Sequence, residues 1–207
     1  MLTIKSYRRD YPVDFNYDID YLKSLIQEPD CFTIIDNNLI HPYGFEGVLP
    51  EGRSYYLDAK EENKTLEEAM KIIVLLPGMS ARKKTDIIAI GGGIVQDLAC
   101  FVSSILYRGV KLTLVPTTLL AQADSCIGSK SSINFSGYKN LIGTFYPPSR
   151  ILIIGTFLNG LSDKDLFSGL GEIAKIQLMI SESNFIDFSN NLEKLKMKDQ
   201  QTMSRFI

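Results

Sequence analysis

The 207-residue chain is 45% apolar and 22% charged, a composition typical of an ordinary globular protein and unlike that of a disordered chain. Its net charge of −2 indicates no nucleic-acid-binding surface, and no apolar run reaches the roughly 18 residues that a membrane-spanning helix needs. The cysteines Cys31, Cys100 and Cys126 are far apart, so we expect neither a disulfide framework nor a cysteine zinc site, and a reducing, cytoplasmic compartment fits best. The single histidine, His41, cannot form a multi-histidine metal site.

Short apolar runs alternate with helical patterns over the first three quarters of the chain. Apolar residues spaced close to every 3.6 positions predict a helix over 64–76, which Pro77-Gly78 ends, and a second helix that Gly109 ends. The apolar runs around these helices predict five strands, over 31–36, 54–59, 86–90, 111–116 and 150–154. Strands that alternate with helices favour right-handed βαβ units, so we expect a mostly parallel sheet in an α/β domain at residues 1–155.

Residues 156–207 have a different character, because they show no strand pattern. A helix is predicted over 161–180, with Ser162 or Asp163 as its N-cap, and a further helix over 184–196. We expect the first helices of an α-helical domain that is incomplete in this sequence. Helices this short bury little surface alone, so they must pack on the α/β domain, on a partner or on sequence outside this chain.

A glycine-rich turn, Gly91-Gly92-Gly93, lies between a predicted strand and a predicted helix. Glycines allow close approach of a ligand to the backbone, and the helix N-terminus beyond them offers unpaired N–H groups to a phosphate. The spacing is neither that of the dinucleotide fingerprint nor that of a Walker A loop. A tight turn without a ligand is the alternative, with Asp97 as a first-turn acidic residue of the helix.

Four separated segments, in one order, resemble the 3-dehydroquinate synthase family. They are GGGIVQDLACFVSSILYRG, VPTTLLAQADSCIGSKSSIN, GYKNLIGTFYPP and GLGEIAKIQLM, and the resemblance covers residues 86–180. It implies a Rossmann-like NAD-binding domain of a sugar-phosphate cyclase. Such an enzyme converts a heptulosonate or heptulose 7-phosphate to a carbocycle, eliminates phosphate, reduces NAD transiently and uses a divalent metal, zinc or cobalt.

The resemblance also implies which residues bind the cofactor. Asp36 and Asn38 match positions near the adenosine end of NAD, and Glu61 and Lys64 match contacts to its ribose, although a solvated charged segment is the alternative for this last pair. Thr117 could instead cap the following helix. The full set of implied NAD-binding residues is Asp36, Asn38, Glu61, Lys64, Gly92, Gly93, Asp97, Thr117, Thr118 and Lys139.

The substrate and metal residues are likewise implied by the resemblance. Glu172 matches the family's metal-binding glutamate, although a Glu-x-x-Lys pair on a helix is more often a surface ion pair. Arg108 matches an arginine that reaches the neighbouring subunit's phosphate site, which implies a homodimer, while a helix C-terminal cation is its alternative interpretation. The implied substrate residues are Asp124, Lys130, Asn140, Lys175 and Arg108.

Some residues depart from the family pattern. The family's metal site also takes two histidines from a C-terminal helical domain, and His41 matches neither, so we expect this chain to be catalytically incomplete. Gln96 and Cys100 stand where family members commonly have smaller residues, and Ser129 replaces a glycine. A metal-dependent polyol dehydrogenase and a non-catalytic nucleotide-binding or oligomerising module remain as alternatives.

Overall fold

A seven-stranded, mostly parallel sheet organises the chain, and the prediction of an α/β fold is confirmed. The computed structural model describes residues 2–15, 17–76 and 84–207. Its strands are β1 Leu2–Ile4, β2 Tyr11–Asp14, β3 Cys31–Asp36, β4 Ser54–Leu57, β5 Asp86–Gly91, β6 Lys111–Pro116, β7 Lys130–Phe135, β8 Tyr138–Phe145 and β9 Arg150–Leu152. Its α-helices are α1 Ile19–Leu25, α2 Leu66–Leu75, α3 Gly93–Ile105, α4 Asp163–Ile180, α5 Glu182–Asn190, α6 Leu192–Lys196 and α7 Gln200–Phe206.

The strand order in the large sheet is β1-β2-β9-β6-β5-β3-β4. Every neighbouring pair in it is parallel except β1 with β2, which is antiparallel at the edge. Strands β7 and β8 form a separate antiparallel hairpin. The carboxyl ends of β3, β5 and β6 therefore meet at one edge of the sheet, where open α/β sheets bind ligands.

The central strands are apolar on both faces because helices cover both sides of the sheet. Along β3, Ile34 packs in a core cluster with residues of α2 and α3, whereas Ile35 packs in a second cluster with α1 residues. Alternation of side chains along a strand explains this division. Such burial accounts for the continuous apolar runs that predict β3, β5 and β6.

A third apolar cluster lies among α4, α5, α6 and α7, and Leu119 from the segment after β6 belongs to it. The helix predicted over 161–180 is confirmed, with Ser162 as its N-cap. The single helix predicted over 184–196 is wrong, because the chain bends at Asn191 and separates α5 from α6. The division into domains 1–155 and 156–207 stays a prediction.

Other boundaries differ by a few residues from those predicted. The strand predicted over 54–59 ends at Leu57, that over 150–154 ends at Leu152, and α3 ends at Ile105, four residues before Gly109. The sequence interpretation missed β1, β2, α1, the β7–β8 hairpin and α7. The predicted helix stop at Pro77-Gly78 lies outside the described residues.

No helix in the described ranges combines the length and the apolar character that crossing a membrane requires.

A close backbone approach fixes α4 against the segment that follows β6. A Cβ atom at Gly169 would lie 2.6 Å from the Leu119 Cβ and 2.8 Å from the Leu120 backbone nitrogen, whereas a Cβ at Gly171 would meet nothing within 4 Å. Only a glycine at position 169 therefore permits this contact.

We expect Gly169→Ala to lower the free energy of unfolding by about 1–3 kcal/mol, because the added methyl must displace backbone. The matched control, Gly171→Ala, removes a glycine from the same helix at an open position and should raise it by about 0.5–1 kcal/mol. Urea denaturation of both variants measures the difference. Equal effects of the two substitutions would contradict the close approach.

Candidate cofactor and substrate site

The glycine turn presents bare backbone at the carboxyl edge of the sheet. Strand β5 ends at Gly91, and α3 begins at Gly93 with Gly92 as an N-cap that has no side chain to bond the first N–H groups. A Cβ at Gly91 would overlap the Val95 side chain, and one at Gly92 would lie 3.2 Å from the Thr118 Cγ2. These residues fit a pyrophosphate, because uncapped N–H groups at a helix N-terminus bind anions.

The threonine pair borders this turn. The Thr117 backbone nitrogen donates a hydrogen bond to the Gly91 carbonyl oxygen at 3.2 Å. The Thr118 hydroxyl accepts one from the Ala121 backbone nitrogen, also at 3.2 Å, so Thr118 rather than Thr117 caps the next helical turn. The alternative role considered for Thr117 is therefore wrong, and Thr117 itself is buried beside the glycine turn.

A buried ion pair joins Lys64 to Asp97. The Lys64 Nζ lies 2.7 Å from the Asp97 Oδ2, and the two side chains are only 8% and 26% exposed. The other Asp97 oxygen accepts a hydrogen bond from the Ser132 backbone nitrogen at 3.1 Å. The Lys64 carbonyl accepts from the Asn134 backbone nitrogen at 2.7 Å. This pair thus ties α3 and the segment before α2 to strand β7.

Asn134 connects two further candidate residues, and the sequence analysis missed it. Its amide donates to the Glu61 carbonyl at 3.1 Å and to the Glu61 carboxylate at 3.0 Å. Its Oδ1 accepts from the Asn140 backbone nitrogen at 2.9 Å. The Lys139 Nζ lies 3.8 Å from the Glu61 Oε1, in an exposed ion pair. Asn134 lies within one of the family-like segments, but no local pattern signals these long-range bonds.

Asp36 and Asn38 lie at the same edge of the sheet. Asp36 ends β3, one residue beyond the pairing of Ile35 with Ile90 of β5. Its carboxylate accepts bonds from the Asn38 backbone and side-chain nitrogens, both at 3.0 Å. Burial raises the pKa of the Asp36 carboxyl, and the two Asn38 hydrogen bonds partly oppose that shift.

A cleft of about 530 Å³ opens between α3 and the segment 124–130. Four of the predicted residues line it, namely Gly93, Asp97, Asp124 and Lys130. The remaining lining residues are Gln96, Cys100, Ser125, Ile127, Gly128, Ser129 and Phe145. With carboxylates, an ammonium and amide groups around it, the cleft suits a polar ligand that carries hydroxyl groups.

Glu172 and Lys175 lie on α4 and form an ion pair with each other. The hydrogen bond to Glu172 raises the pKa of the Lys175 ammonium, and the nearby charge of Asp124 adds to the shift. The Lys175 side chain is 58% exposed and is not among the residues that line the cleft, so its role toward a substrate stays a prediction.

A metal does not fit the residues present around Glu172. Within 2–15, 17–76 and 84–207, no three histidine, cysteine, aspartate or glutamate side chains cluster closely enough to hold a metal ion. The predicted ligand Glu172 has a lysine as its partner, and His41 pairs with Glu46 at 2.6 Å in an exposed loop. One carboxylate does not make a zinc site.

Arg108 is not among the residues that line the cleft. It lies in the 3-10 turn after α3, with an exposed side chain and a positive φ of 67°. No residue of the described chain makes a hydrogen bond or ion pair to its guanidinium. Arg108 ends the 3-10 turn that directly follows α3, so the interpretation as a helix C-terminal cation stays an alternative.

Comparisons with known proteins find relatives that match nearly the whole chain. The family model for the 3-dehydroquinate synthase N-terminal region matches residues 54–168. A 3-dehydroquinate synthase from Dictyoglomus turgidum is 36% identical over 203 residues, which cover 96% of this chain and 57% of the relative. One from Clostridium tetani is 43% identical over 146 residues, 69% of this chain and 39% of the relative. The chain thus spans little more than half the length of the curated relatives it matches.

Solved structures resemble the fold at similar coverage. A 2-epi-5-epi-valiolone synthase from Streptomyces hygroscopicus, solved with NAD+ and Zn2+ bound, is 26% identical with a TM-score of 0.72, over 85% of this chain and 51% of that one. A 2-deoxy-scyllo-inosose synthase is 25% identical with a TM-score of 0.71, over 84% of this chain and 52% of that one. The predicted Rossmann-like fold is confirmed by these likenesses.

We expect Lys64→Met to lower the free energy of unfolding by about 3 kcal/mol, because it leaves the Asp97 carboxylate largely buried without its cation. The control Lys139→Met removes an exposed lysine from a 3.8 Å pair and should change it by at most about 1 kcal/mol. Chemical denaturation gives both values. The double variant Lys64→Met/Asp97→Asn should regain part of the lost stability. If it regains none, Lys64 does not stabilise the protein through its ion pair with Asp97.

Proposed function

The chain belongs to the 3-dehydroquinate synthase family, and we propose that it forms the NAD-binding part of a sugar-phosphate cyclase. The observation that carries this proposal is the ion pair of Lys64 with Asp97, set between an uncapped glycine turn and the cleft. Eight of the ten expected NAD-binding residues, all except Asp36 and Asn38, belong to the glycine and threonine turns or to the bonded set of Lys64, Asp97, Asn134, Glu61 and Lys139. The valiolone synthase solved with NAD+ supports the choice of cofactor.

In this proposal the dinucleotide lies along the carboxyl edge of the sheet. The N–H groups at Gly92 and Gly93 bind its pyrophosphate, because they are unpaired and lie at the positive end of α3. The carboxylates of Asp36 and Glu61 accept hydrogen bonds from the hydroxyls of the adenosine half. Its nicotinamide half extends into the cleft, where it supplies a hydride acceptor when bound.

We propose a heptulosonate or heptulose 7-phosphate as the substrate in the same cleft. Lys130, in the cleft lining, binds the reacting sugar. Asn140 binds its phosphate and Lys175 adds a substrate-binding ammonium, both from outside the cleft lining. Asp124 accepts a hydrogen bond from a substrate hydroxyl. Loss of inorganic phosphate from this substrate precedes ring closure to a carbocycle in the proposed reaction.

We also propose that this chain alone is catalytically incomplete. Within the described ranges Glu172 belongs to no group of three histidine, cysteine, aspartate or glutamate side chains that could hold a metal ion. A non-catalytic NAD-binding module is the second candidate, favoured by the pairing of Glu172 with Lys175. The glycerol dehydrogenase from Sinorhizobium meliloti is 14% identical and shares the fold alone, so it lends no support to a polyol dehydrogenase.

We further propose a homodimer in a reducing, cytoplasmic compartment. The Arg108 side chain is exposed and has no partner among the described residues, which supports a role toward a neighbouring subunit. Cys31, Cys100 and Cys126 are free and buried, and burial raises the thiol pKa of Cys31 to about 11 and that of Cys126 to about 12. Such thiols stay protonated at neutral pH and resist oxidation.

Titration calorimetry with NAD+ tests the cofactor. We expect the wild-type chain to bind NAD+ and Asp36→Asn to bind it several-fold more weakly, because an amide accepts fewer hydroxyl bonds than a carboxylate. Asparagine keeps the local turn capped, so the fold is preserved. The control Glu193→Gln, at an exposed ion pair on α6, should leave NAD+ affinity unchanged. Absence of NAD+ binding by wild type would overturn the proposed function.

A phosphate-release assay tests the proposed incompleteness. With a heptulosonate 7-phosphate, NAD+ and Zn2+ or Co2+, we expect release at the rate of the protein-free control, because no three possible metal ligands cluster in the described residues. Metal-dependent release above that rate would contradict incompleteness and would establish this chain as an active cyclase. The NAD+ titration on the same preparation verifies that the protein is competent to bind its cofactor.

A further inference from the structure

The Gln96 side chain carries an unused hydrogen-bond donor beside the cleft. Gln96 lies one turn into α3 and is 3% exposed. Its Oε1 accepts a hydrogen bond from the Ser125 hydroxyl at 2.9 Å, which fixes the amide. Its Nε2 is buried and has no partner within the described residues. Burial of an amide N–H group without an acceptor is unfavourable, so we expect a ligand atom to accept a hydrogen bond from Gln96 Nε2.

Among the described residues, four other buried side-chain atoms have no hydrogen-bond partner, but they lie away from the cleft. They are Thr33 Oγ1, Ser54 Oγ, Ser103 Oγ and Gln122 Oε1. None of their residues lines the 530 Å³ cleft, whereas Gln96 does. Gln96 is therefore distinguished by its position as well as by its free donor.

We propose that Gln96 Nε2 donates a hydrogen bond to an oxygen on the nicotinamide half of the bound dinucleotide, an inference that rests on the proposed function. The positions of Gly93 and Gln96 indicate which half of the dinucleotide lies beside the Gln96 amide. Gly93 and Gln96 lie on one face of α3, so a ligand whose pyrophosphate lies at Gly93 passes Gln96 on entering the cleft. Asp36 and Glu61 lie outside the cleft lining, which leaves the adenosine half on their side.

The Gln96 amide differs chemically from the charged side chains that line the cleft. Asp97 and Asp124, when ionised, can only accept hydrogen bonds, and Lys130 donates as a flexible cation. Gln96 adds a neutral donor held in place by Ser125. The matching acceptors on a nicotinamide riboside are its ribose hydroxyl oxygens and its carboxamide oxygen. We therefore assign Gln96 as a residue that selects and orients the nicotinamide half.

Gln96→Met tests the assignment, because methionine has nearly the same length and lacks the donor. Titration calorimetry would compare NAD+, ADP-ribose and ADP on wild type and variant. We expect NAD+ affinity to fall about 5- to 10-fold and ADP affinity to stay within twofold. A matching loss for ADP-ribose assigns the bond to the ribose, and an unchanged ADP-ribose affinity assigns it to the carboxamide.

Several results would overturn the assignment. Unchanged NAD+ affinity, or an equal loss for all three ligands, would show that Gln96 serves packing or the adenosine half. Unchanged NAD+ affinity together with weaker binding of the heptulosonate 7-phosphate to the NAD+ complex would assign the donor to the sugar instead. If wild type bound no NAD+, the proposed function would fail and this inference with it, an outcome distinct from a failure seen only in the variant.

Ser125→Ala provides a second variant should Gln96→Met fold poorly. It removes the hydroxyl that orients the amide and leaves Gln96 in place. We expect a two- to threefold loss of NAD+ affinity with ADP unchanged. No change in NAD+ affinity would argue against an oriented donor, and thermal melting of both variants verifies that they are folded.

Discussion

The buried ion pair of Lys64 with Asp97 is the interaction on which the site depends. A lysine ammonium taken out of water needs a counter-charge and further hydrogen bonds nearby, or its burial is strongly unfavourable. Asp97 meets that need with one oxygen and binds the Ser132 backbone with the other. The carbonyl of Lys64 in turn holds Asn134. One charge pair thus positions three segments that are distant in sequence.

The β7–β8 hairpin is held in place by bonds to Lys64 and Asp97. A two-stranded hairpin is marginally stable by itself in water, and several of its apolar side chains, among them Tyr138 and Leu141, are exposed. Contacts with α3 and the bonds to Asp97 and Lys64 hold it against α3 and the segment before α2. Its strands and turn carry three of the candidate site residues, so the placement of these side chains follows from electrostatics as much as from apolar packing.

Sequence reasoning succeeded where one strong physical signal dominates. Continuous apolar runs identified β3, β5 and β6 because both faces of those strands are buried, and the glycines marked the turn at Gly92. It failed at β7, where polar residues outnumber apolar ones, and at β8, whose side chains are mostly exposed, because neither strand has a continuous apolar run. It also failed at Asn191, where no glycine or proline signals the bend. Local patterns also cannot reveal that Asn134 bridges Glu61 and Asn140, since those bonds depend on the assembled fold. The resemblance to a family supplied the candidate roles, and the geometry shows which of these residues meet.

The absence of a side chain at Gly169 also determines how α4 is aligned with the segment after Thr118. The Gly169 backbone lies directly against the Leu119 Cβ and the Leu120 backbone nitrogen, so α4 packs on the segment after Thr118 at close range. This packing sets how the backbones that carry Asp124 and Lys175 lie relative to each other. The close contact at Gly169 thus aligns the two backbone segments from which Asp124 and Lys175 extend.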